Sequence, residues 1–314
     1  MKICVTGGAG FIGSHLAEAY IKRGDHVLVL DNLSAGSETN LASFRSSKLT
    51  FLPLDIRSKE AREKVKEFSP DLINHHAAQK SVRESVNNPM EDADINLLGL
   101  INVMEGARES SCRNVIFASS GGAMYGEDPN LPSHEEVPKS PYSPYATSKI
   151  ASETYFQYYV NLWNFNVTSL RYANVYGPRQ DAAGEAGVVA IFMERLLQKK
   201  PIEIFGSGLQ TRDFVFVKDI VEANLKAGSA MNGFQYFNVG TETETSIKQL
   251  SDFVATITEA AFIQPQMKEA KPGETIRSCL NTEKIRKALD WKPGTSLQAG
   301  LQETAQWFRE KSRG

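Results

Sequence analysis

Cysteine is scarce in this chain. Cys4, Cys112 and Cys279 are far apart and odd in number. They fit neither a disulfide framework nor a metal-binding knuckle, so buried thiols in a reducing cytoplasm are expected. No charge of one sign dominates. With 35 Lys+Arg against 37 Asp+Glu and a net charge of −2, the basic surplus of a bulk nucleic-acid binder is missing, and no nucleic-acid partner is expected. No run of about 18 apolar residues occurs, so no helix is expected to cross a membrane. The first residues run straight into a strand and a glycine turn, without a charged segment followed by an apolar one. No export signal is therefore expected. Repeats and low-complexity tracts are also lacking.

What is present is apolar and regular. The 314 residues, 41% of them hydrophobic, exceed the roughly 250–300 at which a single core stops growing, so a large domain with a smaller one is expected. Strand-length apolar runs at residues 2–6, 26–31, 49–54, 71–75 and 114–119 alternate with helix-type spacing over 11–23, 59–68 and 90–109. That rhythm predicts an α/β fold, a doubly wound Rossmann-type parallel sheet covered on both faces. A helix over 144–161 and a strand over 167–172 follow. After Asn174 the rhythm breaks and then recurs, with helices at 188–198, 218–230, 247–259 and 297–311 and strands at 202–205, 213–217 and 236–239. The expected division is a dinucleotide-binding part, 1–174 with contributions from about 207–240, and a smaller substrate-binding region, 175–314.

The turn Gly7-Gly8-Ala9-Gly10-Phe11-Ile12-Gly13 satisfies G-x-G-x-x-G between the first strand and its helix, the context that makes the motif informative. The early glycines let the backbone approach a pyrophosphate, and the helix N-terminus offers it free N–H groups. Asp31 ends the second strand. A carboxylate there accepts from both ribose hydroxyls and repels a 2′-phosphate, and Asn32 and Leu33 rather than an arginine follow, so NAD is favoured over NADP. Asp55-Ile56 ends the third strand, where the acid suits the adenine edge or merely a turn. Adjacent strand residues His75 and His76 face opposite ways, so no metal site is read there.

Tyr145 and Lys149 stand four apart on the 144–161 helix, and so share one face. A tyrosine is a poor base at its reference pKa of about 10, and a nearby ammonium favours the phenolate. With the dinucleotide loop upstream, this pair points to acid–base chemistry beside a nicotinamide.

The glycine loop, Tyr145/Lys149, the stretch Phe117-Ala-Ser-Ser-Gly-Gly-Ala-Met-Tyr-Gly126 and the stretch Leu170-Arg-Tyr-Ala-Asn-Val-Tyr-Gly-Pro-Arg179 together resemble the extended short-chain dehydrogenase/reductase superfamily, and within it the sugar-nucleotide 4-epimerases. The resemblance covers essentially the whole chain. It implies NAD-dependent inversion of C4 of a UDP-hexose (UDP-glucose, UDP-galactose, their N-acetyl forms) through a 4-keto intermediate. Tyr145 is then the base, supported by Lys149. A strand-five hydroxyl completes the set. The usual slot holds Gly121, so Ser120 is the first candidate and Ser119 the second. The NAD contacts implied are Gly7, Gly10, Phe11, Ile12, Gly13, Asp31, Asn32, Asp55, Ile56, Ala77, Ala78, Lys80, Tyr145, Lys149 and Tyr172, with Asn96 holding the strands around the site.

For the UDP-sugar, the resemblance implies Asn174, Val188, Val189, Glu203, Phe205, Arg212, Lys271 and Glu274, with Ser278 beside the sugar's 2-substituent. It also implies a homodimer through helices 90–109 and 144–161, for which Leu97, Leu100, Phe156 and Tyr159 are compatible apolar residues. A 4,6-dehydratase would need an Asp-Glu pair where Gly122 and Ala123 stand, a UDP-glucuronate 4-epimerase an extra cation, and a non-catalytic scaffold no intact Tyr145/Lys149 pair.

Overall fold

The computed structural model describes residues 1–128, 130–182, 187–229, 232–270 and 275–311. Two compact units form. The first comprises Met1–Met124, Pro141–Arg171 and Val221–Phe237, the second Tyr125–Ser140, Tyr172–Ile220 and Asn238–Gly314.

The first unit is built on a seven-stranded parallel sheet. Its strands in chain order are β1 (Lys2–Thr6), β2 (His26–Leu30), β3 (Leu49–Leu52), β4 (Leu72–His75), β5 (Asn114–Ser120) and β6 (Asn166–Tyr172), with Phe234–Val239 last. In space the order is β3-β2-β1-β4-β5-β6 and then Phe234–Val239 at the edge. The chain runs outward from β1 to β3, then crosses back to β4 on the other side. Val27, Leu28, Val29 and Leu30 are all buried, as strands covered on both faces require.

Helix ends follow local chemistry. Ser58 caps Lys59–Phe68 by accepting from the Ala61 N–H at 3.1 Å, and a left-handed Gly24 ends Phe11–Arg23. The stretch expected as a single helix over 90–109 is instead Pro89–Ala93, a π-helical turn Asp94–Leu98, and Gly99–Arg108. Such a turn inserts an extra residue and re-phases the faces that follow. The apolar residues offered for a dimer face are mostly elsewhere. Leu100, Phe156 and Tyr159 lie in the unit's own core with Val103, Phe117 and Phe165, and only Leu97 stays partly exposed.

A buried ion pair fixes the helix Pro144–Trp163 to β6. Arg171 Nε and Nη2 donate to Glu153 Oε1 and Oε2 at 3.0 and 2.7 Å. Ser169 and Ser119 also donate to Glu153 Oε1, at 2.8 and 3.1 Å.

The second unit carries a three-stranded sheet in the order Glu244–Ser246, Thr211–Phe216, Asn174–Tyr176. Its first pair is antiparallel and its second parallel. Glu203–Phe205 pairs in parallel with Gln266–Lys268. Asp219 binds the N–H groups of Gly294 and Thr295 at 3.0 and 3.2 Å, and its carbonyl accepts from the Trp291 indole at 3.0 Å. No described helix is long and apolar enough to cross a membrane.

Removing one partner of a buried ion pair leaves the other uncompensated, at about 3–5 kcal/mol. Glu153→Ala should lower unfolding stability by that amount, measured by denaturant melts. A loss under about 1 kcal/mol would be at odds with a desolvated Arg171.

Candidate active site

The glycine turn owes its residue types to close packing as well as to any ligand. Gly7 has φ +67°, and a Cβ there would come 2.6 Å from the Ala77 nitrogen, on the segment that leaves β4. A Cβ on Gly13 would collide with the Gly7 carbonyl. Gly10 begins the helix Phe11–Arg23 with no side-chain cap, so the first N–H groups, which have no intrahelical partner, are left for an anion. Asp31 is buried at the end of β2. Its Oδ2 accepts from the Ala9 N–H at 3.0 Å and its Oδ1 from the Leu33 N–H at 2.8 Å. Each oxygen keeps acceptor capacity, as ribose hydroxyls need. This side-chain-free turn, uncapped helix and oriented acid fit a dinucleotide.

The other dinucleotide candidates are engaged to different degrees. Arg57 grips Asp55 with two N–H groups at 2.9 and 2.7 Å and reaches Asp94 at 2.6 Å. Asn32 donates to Asp55 at 3.0 Å. The Arg57 hydrogen bonds hold the Asp55 carboxyl down at about 2. The Ile56 side chain is in the core and its carbonyl accepts from Asn102 at 2.7 Å, so that carbonyl and that side chain are both occupied within the protein. Phe11, Ile12, Ala77 and Ala78 are partly exposed and Lys80 is exposed. Tyr172 is buried.

The acid–base pair is positioned by a helix start. The Ser143 hydroxyl accepts from the Ala146 N–H at 3.1 Å and Pro144 takes the first helical position, which suits its fixed φ. Tyr145 is then the second helical residue and Lys149 lies a turn further on. Lys149 Nζ donates to the Ala118 carbonyl of β5 at 2.8 Å, above the Phe117 ring at 4.7 Å and the Tyr145 ring at 5.7 Å. Burial pulls the Lys149 ammonium down to about 8, partly resisted by Asp92. Burial pushes the Tyr145 phenol up to about 12, while a hydrogen bond with Ser120 pulls it down and Asp92 adds to the rise. His75 and His76 are driven by burial to about 3 and are neutral.

The two serines have different partners. Ser120 meets Tyr145. Ser119 instead donates to Glu153, two turns further along the same helix, at 3.1 Å. Ser119 as a catalytic hydroxyl is therefore corrected: its side chain is buried and its proton is committed to the Glu153 carboxylate that Arg171 holds.

A buried polar cluster, of which only Asn96 was expected, lies beside the pair. Asp92 Oδ2 accepts from Ser148 at 2.6 Å, and its Oδ1 from Asn96 and Gln79 at 2.9 and 3.1 Å. Asn96 also bridges the Gln79 backbone, accepting from its N–H at 2.9 Å and donating to its carbonyl at 3.1 Å. The four-residue spacing of Asp92 and Asn96 was the available signal.

In the second unit the candidates are spread over several elements. Asn174 is exposed at the start of the strand Asn174–Tyr176, paired with Phe214. Val189 is buried in the core, and only the partly exposed Val188 and the uncapped start of Val188–Leu197 are free to meet a ligand. Glu203 is 3.6 Å from Lys268, and the Phe205 carbonyl accepts from Gln210 at 2.8 Å. Arg212 donates to the Thr211 carbonyl at 2.8 Å. Ser278 is partly exposed. Lys271 and Glu274 lie outside the described residues.

Known proteins agree with this equipment. The profile of the NAD dependent epimerase/dehydratase family matches residues 3–240. A UDP-glucose 4-epimerase of Mycolicibacterium smegmatis is 43% identical over 314 residues, covering 100% of both chains. The crystal structure of a Thermotoga maritima UDP-glucose 4-epimerase with UDP-glucose superposes with a TM-score of 0.95 at 40% identity, over 99% of this chain and 100% of that one. That of a Thermus thermophilus UDP-glucose 4-epimerase in complex with NAD gives 0.91 at 40% identity, over 98% and 99%. Dinucleotide turn, acid-terminated β2, tyrosine–lysine helix and full-length similarity converge: the chain belongs to the NAD-dependent epimerase/dehydratase family of the extended short-chain dehydrogenases/reductases.

Proposed function

We propose that this enzyme inverts C4 of a UDP-hexose, interconverting UDP-glucose and UDP-galactose, with Tyr145 as the proton acceptor. The observation that carries this is the Ser120–Tyr145–Lys149 arrangement beside an NAD-type turn, with no Asp-Glu pair at Gly122 and Ala123 to remove water.

The residues act as follows. Gly7, Gly10, Phe11, Ile12 and Gly13 hold the pyrophosphate of NAD, and Asp31 the adenosine ribose. NAD held there would supply the acceptor and donor for the C4 hydrogen and its electron pair, and a positive charge that would favour the Tyr145 phenolate. At about 12 the phenol is a weak base, so Tyr145 needs that positive charge, the Ser120 hydrogen bond and the Lys149 ammonium. With these, Tyr145 takes the proton of the sugar 4-hydroxyl and later returns it to the 4-oxygen of the inverted centre. Asn174, Val188, Glu203, Phe205, Arg212, Lys271 and Glu274 anchor the UDP, so the 4-keto sugar turns over without leaving. Arg212 suits a diphosphate through its forked donors.

We also propose a cytoplasmic homodimer. Met90, Leu98 and Tyr158 are 86, 58 and 45% exposed, on the two stretches the resemblance assigns to a helix-bundle interface. Apolar side chains so placed seek a partner surface.

Tyr145→Phe should keep the fold and the NAD but lose about 10²–10⁴ in epimerisation rate. Ser120→Ala should lower the rate more than Ser119→Ala, whose hydroxyl serves Glu153. Near wild-type turnover of UDP-galactose by Tyr145→Phe would sink the assignment.

NAD is consumed and regenerated within one turnover, so purified protein should release NAD(H) on denaturation, and NADP should not replace it. Asp31→Ala should weaken retention. Tighter binding of NADP than of NAD by the wild type would refute the reading of Asp31.

Substrate breadth rests on Ser278. Its segment is pinned on both sides: the Ile276 N–H donates to Glu127 at 2.6 Å, and the Leu280 N–H to Asp213 at 3.3 Å. A small side chain on a fixed backbone leaves room for an N-acetyl group. Turnover of UDP-GlcNAc and UDP-GalNAc is expected. Ser278→Tyr should suppress it while sparing UDP-galactose, since overpacking costs about 1–3 kcal/mol. A wild type that ignores N-acetyl substrates would contradict the open pocket.

A further inference from the structure

The Asp92 carboxylate is fully buried in the first unit and is not among the residues given a role in proton transfer. It lies on Pro89–Ala93, just before the π-turn. Three elements meet on it. Ser148, between Tyr145 and Lys149 on the catalytic helix, donates to it at 2.6 Å. Gln79, on the segment after β4, donates at 3.1 Å, and Asn96, inside the π-turn, at 2.9 Å. The last two also clasp each other through the Gln79 backbone.

The charged and titratable groups that face Asp92 are few. From the catalytic helix they are Lys149 and Tyr145. From its own stretch and from the segment after β4 only the neutral Asn96 and Gln79 side chains reach it. His75 and His76, at and just after the end of β4, are kept neutral by burial and by the nearby Lys149 charge, and so add no charge beside Asp92. Lys149 itself donates to a neutral carbonyl. A buried ammonium without a facing carboxylate would tend to lose its proton, and Asp92 is the acid that opposes this.

We propose that Asp92 is a positioning residue for the reaction: its negative charge, held in place by Ser148, Asn96 and Gln79, sets the pH range in which Tyr145 and Lys149 work as a pair. This rests on the reading of Tyr145 as proton acceptor. The charge acts on both partners in the same sense. It favours the Lys149 ammonium, and it disfavours the Tyr145 phenolate. Removing it makes each group give up its proton at lower pH. The acid limb, set by Tyr145, and the alkaline limb, set by Lys149, should move together. A purely structural role would instead lower the height of the profile and leave both limbs in place.

The test is kcat/KM of the NAD-loaded enzyme for UDP-galactose from about pH 5 to pH 10, in wild type, Asp92→Asn, Asp92→Glu and Tyr145→Phe. Asp92→Asn should translate the whole profile acidward by about one pH unit, the size expected for loss of a nearby charge. Asp92→Glu, which restores the charge, should return the limbs to their wild-type positions even at reduced height. If Asp92→Asn does not accumulate as folded holoenzyme, Asp92→Ser takes its place, with the same shift expected. Unmoved limbs in the neutral variant overturn the proposal, as does an equal shift in Asp92→Glu. High activity in Tyr145→Phe overturns the proton-acceptor reading itself, whereas an inactive Tyr145→Phe with unmoved Asp92→Asn limbs overturns only the role of Asp92.

Discussion

Burial of the Tyr145 phenol and the Lys149 ammonium in one low-dielectric corner sets two opposed demands. Desolvation penalises each charged form, so the phenol is pushed to about 12 and the ammonium pulled to about 8. Neither group by itself favours removal of a proton from a sugar hydroxyl near neutrality. The proposed proton transfer needs phenolate and ammonium together, and that ion pair is stable only if neighbouring charge and hydrogen bonds replace the lost water. Ser120, the Ala118 carbonyl and the positive ring of bound NAD act in that direction.

The sheet order explains how one short helix start can organise this. The chain crosses from β3 back to β4 beside β1, and a reversal of strand order opens a crevice at the carboxyl ends of the strands. The glycine turn after β1 and the segment after β4 are close enough there that a Cβ on Gly7 would meet Ala77. β5 ends next to them with Ala118 and Ser120. The helix Pro144–Trp163 lies against that end, locked to β6 by the desolvated Glu153–Arg171 pair. Motifs scattered from residue 7 to residue 171 therefore share one unit.

Much of this arrangement is legible in the sequence. Phe11–Arg23 and Lys59–Phe68 have the bounds that periodicity indicates, because capping glycine and serine punctuate them. Four features were not legible. The choice between Ser119 and Ser120 depends on the phase of β5, which the pattern of apolar residues leaves undetermined when both positions hold the same residue type. The π-turn at Asp94–Leu98 has no residue signature, yet it governs which faces of the 89–108 stretch look inward. Leu100, Phe156 and Tyr159 satisfy a helix-pair pattern and a core pattern equally, and only packing assigns them to the core. Asp55 is a fourth case: an acid at a strand end is ambiguous until Arg57 is seen to grip it.

The central claim is that C4 is inverted by oxidation and reduction within one site, with Tyr145 handling only the hydroxyl proton. Its most direct test is interconversion of UDP-galactose and UDP-glucose in D₂O without added cofactor, with the sugar C4 position read by NMR or mass spectrometry. The C4 hydrogen should remain protium in both epimers, because it leaves and returns with its electron pair and never exchanges with solvent. Deuterium at C4 would contradict the claim, since it would require removal of the carbon-bound hydrogen as a proton.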